Sequence, residues 1–128
     1  MTTQRLVLDQ FPRPEIARAL SPNGRPHWTA RRVARLLVTD VVTVAAVRSG
    51  LRHMHGHVTI QPVWVFEVAR RRDGDNLTSI LKAVQDSLVR GGWLADDSVE
   101  HVTLLPPEVR IERGKRALEL SFEWGDGT

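Results

Sequence analysis

The sequence predicts a single α/β domain of the α+β kind, a mixed β-sheet with two principal helices in the order β-α-β-α-β-β. Three observations carry this. Period-two alternation marks strands near both ends of the chain and an apolar run marks one in the middle. Apolar residues at helical spacing mark two long helices, 29–48 and 77–90. The 128 residues suffice for one buried core.

Thr2 to Gln10 is the first strand, with Leu6 and Leu8 alternating with Arg5 and Val7; Phe11-Pro12-Arg13-Pro14 breaks it. Leu20 to Trp28 is dense in proline, glycine and asparagine and reads as a loop; its Arg25, His27 and Trp28 could meet phosphate and a base face, with Trp28 expected rather as a core anchor at the helix entrance. Thr29 is placed to cap a helix ended by Ser49-Gly50, with Val33, Leu36, Leu37, Val41, Val44 and Val47 as its buried face. Arg31, Arg32 and Arg35 cluster at its start, where cations oppose the helix dipole; a solvated face is the usual explanation of such a cluster, and the cost adds slightly to the case for an anionic partner. His53, His55 and His57 lie on an expected solvent-exposed connector. Val58 to Ala69 forms a strand whose Pro62 predicts an edge position or a bulge. A helix follows over Leu77 to Arg90, stopped by Gly91-Gly92. Val99 to Leu105 and Val109 to Glu112 read as extended. Ala117 to Trp124 is the last strand, with Leu118, Leu120 and Phe122 on a buried face and Glu119, Ser121 and Glu123 on a wet one.

Composition excludes several classes. Hydrophobic residues make up 41% and charged residues 26%, as in ordinary globular proteins. No run of about 18 apolar residues exists, so no membrane partner is expected, and the N-terminus does not read as a signal peptide. The absence of cysteine excludes disulfides, thiolate metal sites and a cysteine nucleophile. The expected location is the cytoplasm, at the nucleoid. Nearly all the cations are arginine, with lysine only at Lys82 and Lys115. Arginine suits phosphate recognition, and a GC-rich coding sequence would give the same bias.

The stretch Arg70-Arg71-Arg72-Asp73-Gly74-Asp75-Asn76 sets two carboxylates where a strand gives way to a helix. Asp96-Asp97 follows that helix and is expected to fold back beside the first pair. Oxygen-rich clusters suit hard cations such as Mg²⁺, and the arginines can neutralise a phosphate backbone. Together they read as a metal-dependent nuclease site. On a helical wheel Leu77, Ile80, Leu81, Val84 and Leu88 share the core face, while Asp75, Lys82 and Asp86 fall within about 40° of one another on the opposite side. Taken singly, each has a plain structural explanation. Asp75 can be an N-cap, Lys82–Asp86 a solvated i,i+4 pair, and Asp96-Asp97 a turn.

Arg72-Asp73-Gly74-Asp75-Asn76-Leu77, then Leu81-Lys82-Ala83-Val84-Gln85-Asp86-Ser87-Leu88, then Asp96-Asp97-Ser98-Val99, resembles the RusA family of Holliday-junction resolvases. That family has an R-D-x-D-N segment, a K-A-x-x-D-x-L helix and a D-D-[SA]-x-[VI] segment in the same order. Ser21-Pro22-Asn23 faintly resembles its N-terminal P-x-x-N segment. The resemblance implies a dimeric, Mg²⁺-dependent endonuclease, with Mn²⁺ as a substitute, that resolves four-way DNA junctions by paired symmetric nicks in recombination and repair. It maps the metal-binding aspartates onto Asp73, Asp75 and Asp97, with Asp96 as an accessory. The family lysine maps onto Lys82 when aligned from Asp86, and onto the place of Ser79 when counted from Asp75. Gly74 stands where the family has an apolar residue. Arg25, Arg31, Arg32, Arg35, Arg70, Arg71, Arg72 and Lys82 are the residues expected to hold DNA. A small Mg²⁺-dependent nucleotide phosphohydrolase and a non-catalytic nucleic-acid-binding module are the competing readings.

Overall fold

The computed structural model describes residues 1–21, 28–69, 74–96 and 98–125, residues 74–76 by backbone alone. Its elements are β1 (Thr2–Asp9), α1 (Pro14–Ala19), α2 (Trp28–Ser49), β2 (Val58–Phe66), α3 (Gly74–Arg90), β3 (Val102–Leu104), β4 (Glu108–Ile111) and β5 (Ala117–Trp124). The expected α+β domain is present: a five-stranded mixed sheet with two long helices. The short helix α1 lies where only a break was expected. Pro14 sits at its start, where a fixed φ and a missing N–H cost nothing, and Ile16 and Ala19 turn inward.

The sheet runs β1-β5-β2-β3, and β4 joins β2 on the same side as β3. β5 pairs antiparallel with both β1 and β2. Leu6 and Leu8 of β1, Ile60 and Trp64 of β2, and Leu118, Leu120 and Phe122 of β5 share one face. Val38 and Val42 of α2 and Ile80, Val84 and Leu88 of α3 join them in one core.

Pro62 is not at an edge, since β2 is paired on both sides. The Ile60 carbonyl accepts from Leu105 N–H at 2.9 Å, so Ile60 directs its polar groups towards β3. Those groups alternate sides along a strand, and the Pro62 nitrogen therefore faces the same way. There the register passes from Ile60↔Leu104 to Val63↔Glu108, so β3 has ended and β4 has not begun. A residue without an N–H fits that gap.

α2 corrects the expected buried face. Ala34, Val38, Val42 and Ala46 are buried, while Val33, Leu36, Leu37, Val44 and Val47 are exposed. The helix is apolar on two sides, so periodicity alone does not choose between them. The small i,i+4 row lets the backbone approach its neighbours closely, and that row is the one turned inward. Thr29 lies within the first turn rather than before it, because the helix already includes Trp28. Trp28 itself is 66% exposed and is not a core anchor. Gly50, at φ +67°, ends the helix, with Leu51 N–H reaching the Ala46 carbonyl at 2.9 Å. Gly92, at φ +83°, does the same for α3, with Trp93 N–H on the Leu88 carbonyl at 3.0 Å. Both are left-handed caps that favour glycine.

Two smaller expectations also change. Val99 lies in a turn, and β3 begins only at Val102. Glu119, expected on a wet face, is 3% exposed. Its register neighbours are Val7 and Val63, and it accepts from Arg5 at 2.9 Å, Arg110 at 2.8 Å and Lys115 at 3.1 Å. The connector carrying His53, His55 and His57 is exposed as expected, apart from buried Met54, which bridges to Leu94.

Candidate functional site

α3 is the element that orders the candidate residues. Ile80, Leu81, Val84 and Leu88 bury its core face and Leu77 packs against the same cluster, as the wheel predicts. Lys82 and Asp86 stand on the solvent side, their Nζ and Oδ1 3.2 Å apart. An exposed pair of this kind adds only about 0.3–0.5 kcal/mol, so stability alone does not require it. Residue 75 occupies the first turn of α3 and is followed seven positions later by Lys82. Seven residues are close to two turns, so both positions share one line along the helix. Ser79 is half-buried on α3.

Asp96 is exposed on the segment between α3 and β3. That segment is fixed by Ser98, whose carbonyl accepts from the N–H groups of His101 and Val102, both at 2.9 Å. His101 Nδ1 lies 2.9 Å from Ser98 Oγ and 3.8 Å from Asp96 Oδ2. The Val58 N–H donates to the His101 carbonyl at 2.8 Å, and Leu94 bridges to Met54. These contacts anchor the second acidic segment at the start of β2.

The start of α3 lies towards the other end of β2, because α3 begins shortly after Phe66 and returns the chain to the start of that strand. At about 1.5 Å per residue the 17 residues of α3 span about 25 Å. The expected meeting of the two acidic pairs rests on Asp73, Asp97 and the side chain of Asp75, which lie outside the described residues. Asp73 and Asp97, with Arg25, Arg70, Arg71 and Arg72, lie outside the described residues. Among the described residues no group of His, Asp and Glu is arranged to hold a metal ion. The donor chemistry nonetheless suits a hard cation, since Asp96 presents carboxylate oxygens to solvent and the chain offers no thiolate.

On α2 the cluster of arginines divides. Arg31 is half-buried and donates to the Ser21 carbonyl at 3.3 Å, tethering the start of the helix. Arg32 and Arg35 are exposed. Thr39 Oγ1 lies 3.1 Å from Ser87 Oγ of α3, which marks the side of α2 that faces α3. At 100° per residue Trp28, Arg32 and Arg35 all lie within about 40° of Thr39. An exposed indole and two guanidinium groups thus form a ridge on the α3 side of α2. Of the two roles that the sequence offers Trp28, a core anchor or a face for a base, its exposure is incompatible with the first.

No family model matches the chain, and no curated protein is similar to it in sequence. No helix among the described residues is long and apolar enough to cross a membrane.

Proposed function

We propose that the chain is a Mg²⁺-dependent, structure-selective endodeoxyribonuclease that acts as a homodimer on four-way DNA junctions, as the RusA-like motifs imply. The observation that carries the reading is the arrangement along α3: residue 75 in its first turn, Lys82 on the same line facing solvent, and Asp96 beyond its far end. Asp73, Asp75 and Asp97, with Asp96 as an accessory, are the residues that would hold Mg²⁺ or Mn²⁺. When bound, such an ion lowers the pKa of a water and stabilises the leaving oxygen. Joining residue 75 of one protomer to the Asp96-Asp97 segment of the other is one way in which the dimer would complete the site.

Lys82 is placed to steady a scissile phosphate, and its pair with Asp86 holds the side chain along the helix. Lys82→Ala is expected to lower cleavage about 10²-fold, whereas Asp86→Ala changes it little. Both should leave the melting temperature nearly unchanged, as loss of an exposed pair requires. Equal effects of the two variants on cleavage would remove Lys82 from the site.

The ridge of Trp28, Arg32 and Arg35 suits backbone phosphates and an unstacked base. Arg32→Gln and Arg35→Gln should each reduce the slope of log affinity against log salt by about 1. Trp28→Ala should weaken junction binding by about 1–3 kcal/mol and leave that slope unchanged. A Trp28→Ala effect that vanishes at high salt would count against stacking.

The direct test is cleavage of a labelled mobile four-way junction with Mg²⁺ or EDTA, against linear duplex of the same sequence. Paired nicks in the junction alone, abolished by EDTA, are expected. The exposed Trp28, Arg32 and Arg35, which need no metal to hold DNA, favour a non-catalytic nucleic-acid binder as the second reading. That protein would hold the junction with the same affinity in Mg²⁺ and EDTA and never cut it.

A further inference from the structure

Among the described residues two enclosed side-chain nitrogens have no hydrogen-bond partner, Trp64 Nε1 and Arg116 Nε. The sheet sets them close together. Trp64 pairs in register with Leu118, and Arg116 stands two residues before Leu118. That is the diagonal position across β2 and β5, within reach of an aromatic and a long side chain. Lys115 meets Glu119 at 3.1 Å on the open face of the sheet. Alternation therefore turns Arg116, the next residue, to the opposite face, which carries Trp64 and the helices. Trp64 is fully buried and its ring is stacked on Phe66, the centroids 6.3 Å apart.

The contrast with the open face is what makes Arg116 unusual. There Arg5, Arg110 and Lys115 all hold the Glu119 carboxylate. Arg116 is half-buried as well, yet it has no ion pair and no side-chain hydrogen bond among the described residues. Taking a charge out of water without a partner is strongly unfavourable. A buried polar group kept in that state calls for a partner from outside the chain.

We infer that Arg116 holds a phosphate of the bound DNA, gripping its oxygens with the two Nη groups while the enclosed Nε fixes the plane of the guanidinium. Two unpaired donors, one of them charged, with no acceptor between them define the ligand as an anion rich in acceptor oxygens. The planar fork of arginine matches phosphate. The start of α3 lies towards the same end of β2 as Phe66, and the positive end of its dipole favours an anion there too. The inference rests on the resolvase reading for the identity of the phosphate, and it adds to that reading a residue from the last strand's approach, far in sequence from the acidic motifs.

The test follows the Arg116 Nε–H signal of the full chain by ¹⁵N NMR, the signal being assigned by its absence from Arg116→Met. A short four-way junction in EDTA is added to one sample, and inorganic phosphate at the same ionic strength to another. The junction should move the signal, and inorganic phosphate should move it far less. Junction affinity in EDTA should fall about tenfold in Arg116→Met, and the slope of log affinity against log salt should fall by about 1. Arg113→Met, an equal loss of charge at an exposed position of the preceding turn, should weaken binding less. The melting temperature of Arg116→Met should equal or exceed that of the wild type, because the change removes an unpaired, half-buried charge. A lower melting temperature, unchanged junction binding, or a signal that follows inorganic phosphate and ignores the junction would each overturn the inference. None of these readouts involves cleavage. A protein that binds junctions through Arg116 and never cuts them in Mg²⁺ would sink the resolvase reading alone.

Discussion

Asp75→Asn and Asp97→Asn are each expected to lower junction cleavage at least about 10³-fold, a loss of about 4 kcal/mol of transition-state stabilisation. Junction binding should stay as tight or tighten, because each change removes a negative charge from a phosphate-binding surface. Mixing the two inactive proteins separates the two architectures. If each site joins residue 75 of one protomer to Asp97 of its partner, a mixed dimer has one site with both substitutions and one with neither. Random exchange in an equal mixture should then recover roughly a quarter of the wild-type nicking, as single rather than paired nicks. A site built within one chain would carry a substitution in every copy, and the mixture would stay inactive. The experiment therefore separates a site shared between protomers from one built within a chain, independently of which surface forms the dimer. Loss of binding together with cleavage in Asp75→Asn would instead count against its role as a ligand.

The strands of this chain were legible because alternation survives one-sided burial. Leu118, Leu120 and Phe122 read as one face and are buried on one face. α3 was legible for the same reason, since its apolar residues occupy a single stripe with Lys82 and Asp86 opposite. α2 was not. Valine, leucine and alanine surround it, and the face turned inward is the one with the smaller residues, Ala34 and Ala46. A hydrophobicity count favours the larger residues on the other side, and only the packing distance to neighbouring elements decides between them. Pro62 misled in a related way. The rule that confines proline to edges concerns the missing N–H, and a central strand with a break in its neighbour meets the same condition. The order of the motifs nominates Asp73, Asp75, Asp96 and Asp97 as the acidic residues of the candidate site. Nearness along the chain says nothing about the rigidity of what lies between, and here that is a helix of 17 residues, about 25 Å long.

Glu119 should be the most sensitive polar position for stability. Nothing in the alternation of β5 distinguishes it from Glu123, yet it lies between Val7 and Val63 in register under the cations of Arg5, Arg110 and Lys115. Burial by itself would raise its carboxyl pKa, but the hydrogen bonds from Arg110 and Lys115 and their charges outweigh it, and the net shift is downward. Glu119→Gln leaves three cations gathered around a neutral group. Removing one member of a fully buried pair costs about 3–5 kcal/mol. Here the cations reach solvent, so about 2 kcal/mol is expected, a fall of about 8 °C in melting temperature for a domain of this size. The sign of the pH dependence follows from the downward shift. A carboxylate with a depressed folded-state pKa stabilises the fold above its unfolded value, 4.5, and loses that contribution as pH falls through the folded-state value. The gap between wild type and Glu119→Gln should thus be full at pH 7, begin to close below about pH 4.5, and close further as the carboxylate is protonated. Melting curves of both proteins across that range decide the matter. A gap that stays constant with pH would mean that Glu119 acts through its shape and hydrogen bonds, and that the charge it presents to Arg5, Arg110 and Lys115 is incidental.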